Sequence, residues 1–222
     1  MPKVISAIGN LSTINVRGAI PPYVGGGDGL VVADDFDSRT TGAIHGQAIN
    51  GTYSWNYGIW PTNGMVVAGV GDKFVQGPGP STGGICFVYG GIFPYSGALS
   101  IRARYHGTWD AIQSVTARDM TGYGADLQLN AAVGGNAYLR TFTTAGNNRV
   151  TVAGTWADGD EARLDLTPLG GGIWRLQMYK NGVAIGSYYD ENFSAGAGVW
   201  YPGLYGENDG TQWDDFSVYL LS

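Results

Sequence analysis

Five stretches of this 222-residue sequence switch between apolar and polar residues with a period of two. In Ala98–Tyr105, the residues Leu99, Ile101, Ala103 and Tyr105 share one side, and Ser100, Arg102 and Arg104 the other. Tyr123–Leu129 repeats the pattern with Asp126 and Gln128 turned outward. Ala162, Leu164 and Leu166 oppose Arg163, Asp165 and Thr167, and Trp174, Leu176 and Met178 oppose Arg175, Gln177 and Tyr179. Near the C-terminus, Phe216, Val218 and Leu220 oppose Asp215, Ser217 and Tyr219. This period belongs to strands with one face in a core and the other in water, as in antiparallel sheets. Between two such stretches lies Asn181-Gly182, whose residue types accept the positive φ of a two-residue hairpin turn. Asn50-Gly51, Asn63-Gly64, Asp158-Gly159 and Asp209-Gly210 are weaker turn signals, because Asx-Gly also occurs in open loops. The spacing predicts about a dozen strands arranged as a sandwich, and no segment reads as a helix.

Composition removes several function classes. The 38 glycines are more than twice the usual share of ~7%, yet 44% apolar and 13% aromatic content excludes a disordered chain. No Gly-X-Y repeat is present, so collagen is excluded. No apolar run approaches the ~18 residues of a membrane helix, so membrane insertion is not expected. A net charge of −6 without a Lys/Arg cluster argues against a nucleic-acid partner. Cys86 stands alone in Ile85-Cys86-Phe87-Val88 and is expected to be a buried small hydrophobe. The first residues lack a sustained apolar core of signal-peptide length, which predicts synthesis in a cytoplasm without a cleaved signal.

Residues 1–29 differ from the rest. They carry Lys3 and Arg17 with no acid before Asp28, and they are the only net-positive part of the chain. Val4, Ile5, Ile8, Leu11 and Ile14 are scattered without a strand or helix period. The segment then runs through Pro21-Pro22 into Gly25-Gly26-Gly27, a stiff piece followed by a flexible one. The expected division is an N-terminal assembly arm with its linker over residues 1–29 and a β-sandwich over 30–222. Val4, Ile5, Ile8, Leu11, Ile14 and Arg17 are the candidate docking residues of the arm.

The sandwich opens with Val31-Val-Ala-Asp-Asp-Phe-Asp37 and Gly51-Thr-Tyr-Ser-Trp55. It continues with Tyr179-Lys-Asn-Gly-Val-Ala-Ile-Gly-Ser-Tyr-Tyr-Asp190, then Gly203-Leu-Tyr-Gly206, and closes with Trp213-Asp-Asp-Phe-Ser-Val218. In order and spacing these passages resemble the concanavalin A-like (laminin-G-like) jelly rolls, over residues 30–222. The resemblance implies an all-β antiparallel sandwich whose first and last strands lie side by side, with Phe36 and Phe216 in the core and Asp35 and Asp215 outside. Such domains are frequent in phage tail and virion proteins and in carbohydrate-binding modules. It therefore implies a phage virion structural protein, a capsid decoration or tail-fibre component. Such a protein would be present in several copies and held to other virion proteins by residues 1–29. The alternative it implies is a carbohydrate-binding, host-adhesion module that takes a cell-surface glycan. Related domains hold Ca²⁺, so Asp34 and Asp214 are the residues to test for a cation, although capping of turns at strand ends is the better account of them. No other cofactor is implied.

Catalysis is not expected. Retaining glycosidases need two carboxyls ~5–5.5 Å apart, and the glucanase branch of the fold supplies them as a Glu-x-Asp-x-(x)-Glu strand. Glu161, Glu191 and Glu207 stand outside any such pattern. The lyase branch uses Gln-x-His, which neither His45 nor His106 matches; His106 after Arg102-Ala-Arg104-Tyr105 keeps only a lyase-like composition. Sugar binding needs flat aromatic platforms. Trp60, Tyr95 and Trp109 are the candidates because they sit in predicted loops, whereas Trp55, Trp174 and Trp213 are expected in the core.

Overall fold

A computed structural model describes residues 29–56, 64–80, 82–89, 93–94, 97–107, 112–119, 121–130, 135–143, 146–194 and 199–221. The arm candidates and Trp60, Tyr95 and Trp109 lie outside the described residues. In chain order the first strands are β1 (Gly29–Asp34), β2 (Gly42–Ala43), β3 (Ser54–Asn56), β4 (Val66–Val70), β5 (Asp72–Gln76) and β6 (Gly84–Tyr89). They are followed by β7 (Phe93–Pro94), β8 (Ala98–Gly107), β9 (Ile112–Arg118), β10 (Gly124–Asn130), β11 (Asn136–Phe142) and β12 (Gly146–Ala153). The last are β13 (Glu161–Gly170), β14 (Ile173–Lys180), β15 (Val183–Asn192), β16 (Val199–Gly206) and β17 (Thr211–Leu221).

These strands form two antiparallel sheets. One runs β15-β14-β13-β8-β17-β5-β4-β2 with β1 also on β17; the other runs β12-β11-β10-β9-β16-β6-β3 with β7 also on β16. The core between them is where the alternation places it. Leu99, Ile101, Ala103 and Tyr105 of β8, Leu164 and Leu166 of β13, and Trp174, Leu176 and Met178 of β14 are all buried. From the other sheet come Val115, Ala117, Leu127, Leu129, Leu139 and Leu204. Trp55, Trp174 and Trp213 are core residues, as expected, and so is Cys86. Burial pushes the Cys86 thiol far above its ordinary range.

The repeated Asp-Asp-Phe has a structural reason. The first and last strands are neighbours, with Asp34 opposite Phe216 in the β1–β17 ladder. Phe36 and Phe216 both pack on Trp55, with ring centroids 5.6 and 5.0 Å away. Asp215 has φ 47° and sits in an irregularity of the β17–β8 ladder between Asp214 and Ser217. Strict alternation would send Trp213 and Phe216 to opposite faces; the extra residue lets both enter the core. Leu220 departs from the expected pattern and is 41% exposed.

The Asn181-Gly182 hairpin is present, with φ 49° and 77° and β14 paired to β15 on either side. Asp209-Gly210 is a turn too, but it carries the chain from one sheet to the other, since β16 and β17 belong to different sheets.

Candidate functional site

The two outer faces were expected to be wet, and on the central strands of both sheets they are buried. On the nine-stranded sheet, Ser100, Arg102, Arg163, Asp165 and Ser217 are at most 6% exposed. Arg163 donates from Nε to Asp165 at 2.7 Å and lies under Tyr179, while Arg102 lies under Tyr219. These long side chains lie flat on the sheet and cover one another. A cleft of about 430 Å³ runs beside β1 and β17, lined by Asp34, Asp35, Arg39, Asp215, Ser217 and Tyr219 among others. Two of its three carboxylates already have guanidinium partners: Asp34 with Arg39 at 2.9 Å and Asp215 with Arg104 at 2.8 Å.

Asp34 therefore differs from the cation-binding expectation. Its oxygens accept from Trp55 Nε1 at 2.6 Å, from the Phe36 amide at 2.9 Å and from Arg39 Nε. Arg39 supplies the counter-charge that an ion would otherwise bring. Asp214, also buried, accepts from the Asp215 amide at 2.7 Å.

The outer face of the eight-stranded sheet is built differently. Every residue of β10 is buried, including the outward set Gly124, Asp126, Gln128 and Asn130. The ladders align these with neighbours in three rows. Tyr205, Ser114, Gln128 and Tyr138 form the first row; Gly203, Thr116, Asp126 and Arg140 the second; Tyr201, Arg118, Gly124 and Phe142 the third. Asn130 stands at the end of β10 opposite Asn136.

A salt bridge organises the middle of this face. Arg118 donates to both oxygens of Asp126, from Nε at 3.1 Å and Nη2 at 2.8 Å, and Thr116 donates to the same carboxylate. The Arg118 guanidinium lies 3.2 Å above the Phe142 ring on the far side of β10. It reaches there because Gly124 has no side chain: a Cβ would collide with Arg118 Cδ. Burial lowers the Arg118 pKa from its ordinary range, and Asp126 opposes that shift.

Beside the pair, Arg140 donates from Nη1 to Gln128 at 3.0 Å. Arg140 Nε and Asn130 Oδ1 are buried and have no hydrogen-bond partner. At the other end, Tyr89 and Tyr201 stack with centroids 5.8 Å apart and planes 15° from parallel. Tyr89 is 44% exposed. The arrangement offers amide, hydroxyl and guanidinium groups beside a flat aromatic pair. It suits a polyhydroxylated ligand, whose hydroxyls both donate and accept while its C–H faces rest on rings.

Sequence reasoning placed the binding aromatics in loops and took Asp126 and Gln128 as wet outer residues. The signal for this face was present in Asp126, Gln128 and Asn130, three consecutive outward polar residues. Their burial depends on β9, β11 and β16, which adjacent sequence does not show.

Three of the residues weighed for catalysis, Glu191, Glu207 and His106, are engaged elsewhere. Glu191, next to last in β15, accepts from Arg149 at 2.7 Å and from Thr141 at 2.6 Å. Glu207 accepts from the Ile112 amide, and His106 Nδ1 meets Asp158 at 2.8 Å.

No protein-family model matches the chain, and no curated protein matches it in sequence. Solved structures do. The carbohydrate recognition domain of Emp46p, in a mutant form, aligns over 84% of this chain and 94% of its own, with TM-score 0.55 and 11% identity. The fold is a concanavalin A-like jelly roll. A Bacillus subtilis protein of unknown function with a galectin-like fold aligns over 88% and 99%, with TM-score 0.56 and 9% identity. A structure from work on endo-acting O-glycanases of human gut microbiota, which initiate mucin breakdown, aligns over 87% and 100%, with TM-score 0.54 and 11% identity.

Proposed function

We propose that this chain is a non-catalytic carbohydrate-binding domain that holds a saccharide on the outer face of its eight-stranded sheet. The observation that carries this reading is the stacked Tyr89–Tyr201 pair, with Tyr89 44% exposed, at one end of the polar rows of that face. The Tyr89–Tyr201 pair gives the sugar a stacking surface. The fold shared with a carbohydrate recognition domain is consistent with this use.

A glycan array probed with the chain displayed multivalently tests it. Wild type binds at least one saccharide class and Tyr89→Ala weakens that binding several-fold. Absence of binding at high valency removes the reading. Hydrolysis is a separate outcome, prompted by the likeness to an O-glycanase structure. Polysaccharide depolymerisation that Glu207→Gln or His106→Ala abolishes would replace a binding protein with an enzyme.

The carrier we propose is a phage virion. Residues 1–29 dock on other virion proteins by strand addition or groove packing, and repeated copies make weak single sites effective. What supports this is the composition of the arm: net-positive, apolar and joined through Pro21-Pro22 and Gly25–Gly27 to an acidic body. Deleting residues 1–28 should leave the sandwich folded and abolish incorporation into particles. Normal incorporation of that truncation contradicts the anchoring role.

A further inference from the structure

The cleft beside β1 and β17 holds a carboxylate that the body leaves without a cation. Its wall follows β1: Leu30 stands across the ladder from Tyr219 and Ala33 from Ser217, with Asp35 and Ser38 beyond them. Asp34 and Asp215 have Arg39 and Arg104. Asp35 is exposed and accepts from the Asp37 amide at 3.2 Å, and no ion pair among the described residues includes it. At the other end of the cleft Leu30 is 57% exposed. Ser217, 3% exposed, has no hydrogen-bond partner for its Oγ. Among the described residues β1 pairs with β17 alone, so its outer edge is open.

The sequence just before β1 carries a matching pattern. Ile5, Ile8, Leu11, Ile14, Arg17 and Ile20 recur every three residues, and Tyr23 continues the row. Three residues per turn is the period of polyproline II, which suits a segment that includes Pro21-Pro22. Such a helix puts Arg17, Ile20 and Tyr23 on one side, with about 19 Å from first to last at its usual rise. Leu30 to Asp35 spans about 17 Å at the usual strand rise. Gly25-Gly26-Gly27 lies between Tyr23 and the start of β1 at Gly29, where glycine lets a chain turn back. Arg17 brings a positive charge, and no acid precedes Asp28 to cancel it. The short tether raises the effective concentration of this segment at the cleft above that of any separate molecule.

Building on the reading of residues 1–29 as an anchor, we infer that the cleft seats residues 17–24 of its own chain, with Arg17 on Asp35, Ile20 over Ala33 and Tyr23 beside Leu30. A serine hydroxyl turns on a single torsion, and the seated backbone brings Ser217 a partner. Seating fixes the direction in which the arm leaves the body. It also divides the arm: Arg17 fastens it to the sandwich, while Val4, Ile5, Ile8, Leu11 and Ile14 are left for the partner.

Disulfide trapping in the full chain tests this, with Gly18→Cys and Ser38→Cys introduced together; Cys86 is buried and does not compete. Oxidation should close the disulfide within a monomeric chain, at a rate independent of protein concentration. Arg17→Glu in that background should slow closure several-fold, and Asp35→Arg should do the same. The two combined exchange the charges and should restore it. Absence of closure overturns the inference. Linkage mainly between two chains also overturns it, because the arm would then be seated in a second copy. A charge exchange that fails to restore closure overturns the Arg17–Asp35 contact. Particle incorporation is scored apart: incorporation that survives deletion of residues 1–16 while closure persists counts against the anchoring reading and not against the cleft.

Discussion

Asp34 fastens the first strand to the rest of the sandwich through three kinds of donor. One carboxylate accepts from Trp55 in the opposite sheet, from the Phe36 amide and from Arg39, which itself donates to the Ala48 and Ile49 carbonyls. Removing the carboxylate leaves the Arg39 charge and the Trp55 N–H without their acceptor. Asp34→Ala should therefore lower the unfolding free energy by about 3–5 kcal/mol, the range for one partner lost from a buried pair; urea unfolding measures it. Because Arg39 supplies the counter-charge, added Ca²⁺ should leave the wild-type Tm unchanged, and a rise with Ca²⁺ would restore the cation assignment. Glu161 is a contrasting carboxyl. Burial pushes it up from its ordinary 4.5, against the pull of Arg102, Arg163 and Arg104. The folded state then holds this proton to higher pH than the unfolded chain. Its stabilising contribution is complete below the unfolded value and is lost as pH rises through the folded one. Glu161→Gln should unfold at a higher temperature than wild type at pH 7 and at a similar temperature near about pH 4. Thermal scans across that interval show whether the curves diverge in this direction.

At the level of elements, the ladders set what each side chain meets. Gly124 lets Arg118 lie across β10 and reach both Asp126 and Phe142. A Cβ there would also press on the Ala117 carbonyl, which is backbone and cannot simply swing away. Gly124→Ala should cost about 1–3 kcal/mol, as overpacking does, and weaken saccharide binding by displacing the bridge; denaturant midpoint and titration measure the two effects. The strands containing Ala98–Tyr105, Ala162–Thr167 and Trp174–Tyr179 were legible because one face of each is almost purely apolar. The placement of Phe36 and Phe216 in the core followed from the resemblance, with the repeated Asp-Asp-Phe as its local sign; their meeting on Trp55 did not. Other features were not local. The irregularity around Asp215 reverses the facing of β17 without a glycine or proline to mark it. Asp126 and Gln128 are held by residues of the adjacent strands, Arg118 and Thr116 on β9 and Arg140 on β11, so period-two reasoning could assign their direction but not their surroundings.

For the whole molecule, the two outer faces divide the work. Ion pairs lie on both: Arg163–Asp165 and Arg104–Asp215 on the nine-stranded sheet and Arg118–Asp126 on the eight-stranded one. The stacked Tyr89–Tyr201 pair belongs to the eight-stranded sheet, and that is the face on which we propose the ligand. Amide chemical-shift mapping on the isotope-labelled chain, with the best saccharide from the array, tests this location most directly. The account predicts that the largest shifts cluster at Ser114, Gln128, Asn130, Tyr138, Arg140 and Tyr205. Shifts confined to Asp34–Arg39 and Asp215–Tyr219, or to the loops carrying Trp60, Tyr95 and Trp109, would contradict it.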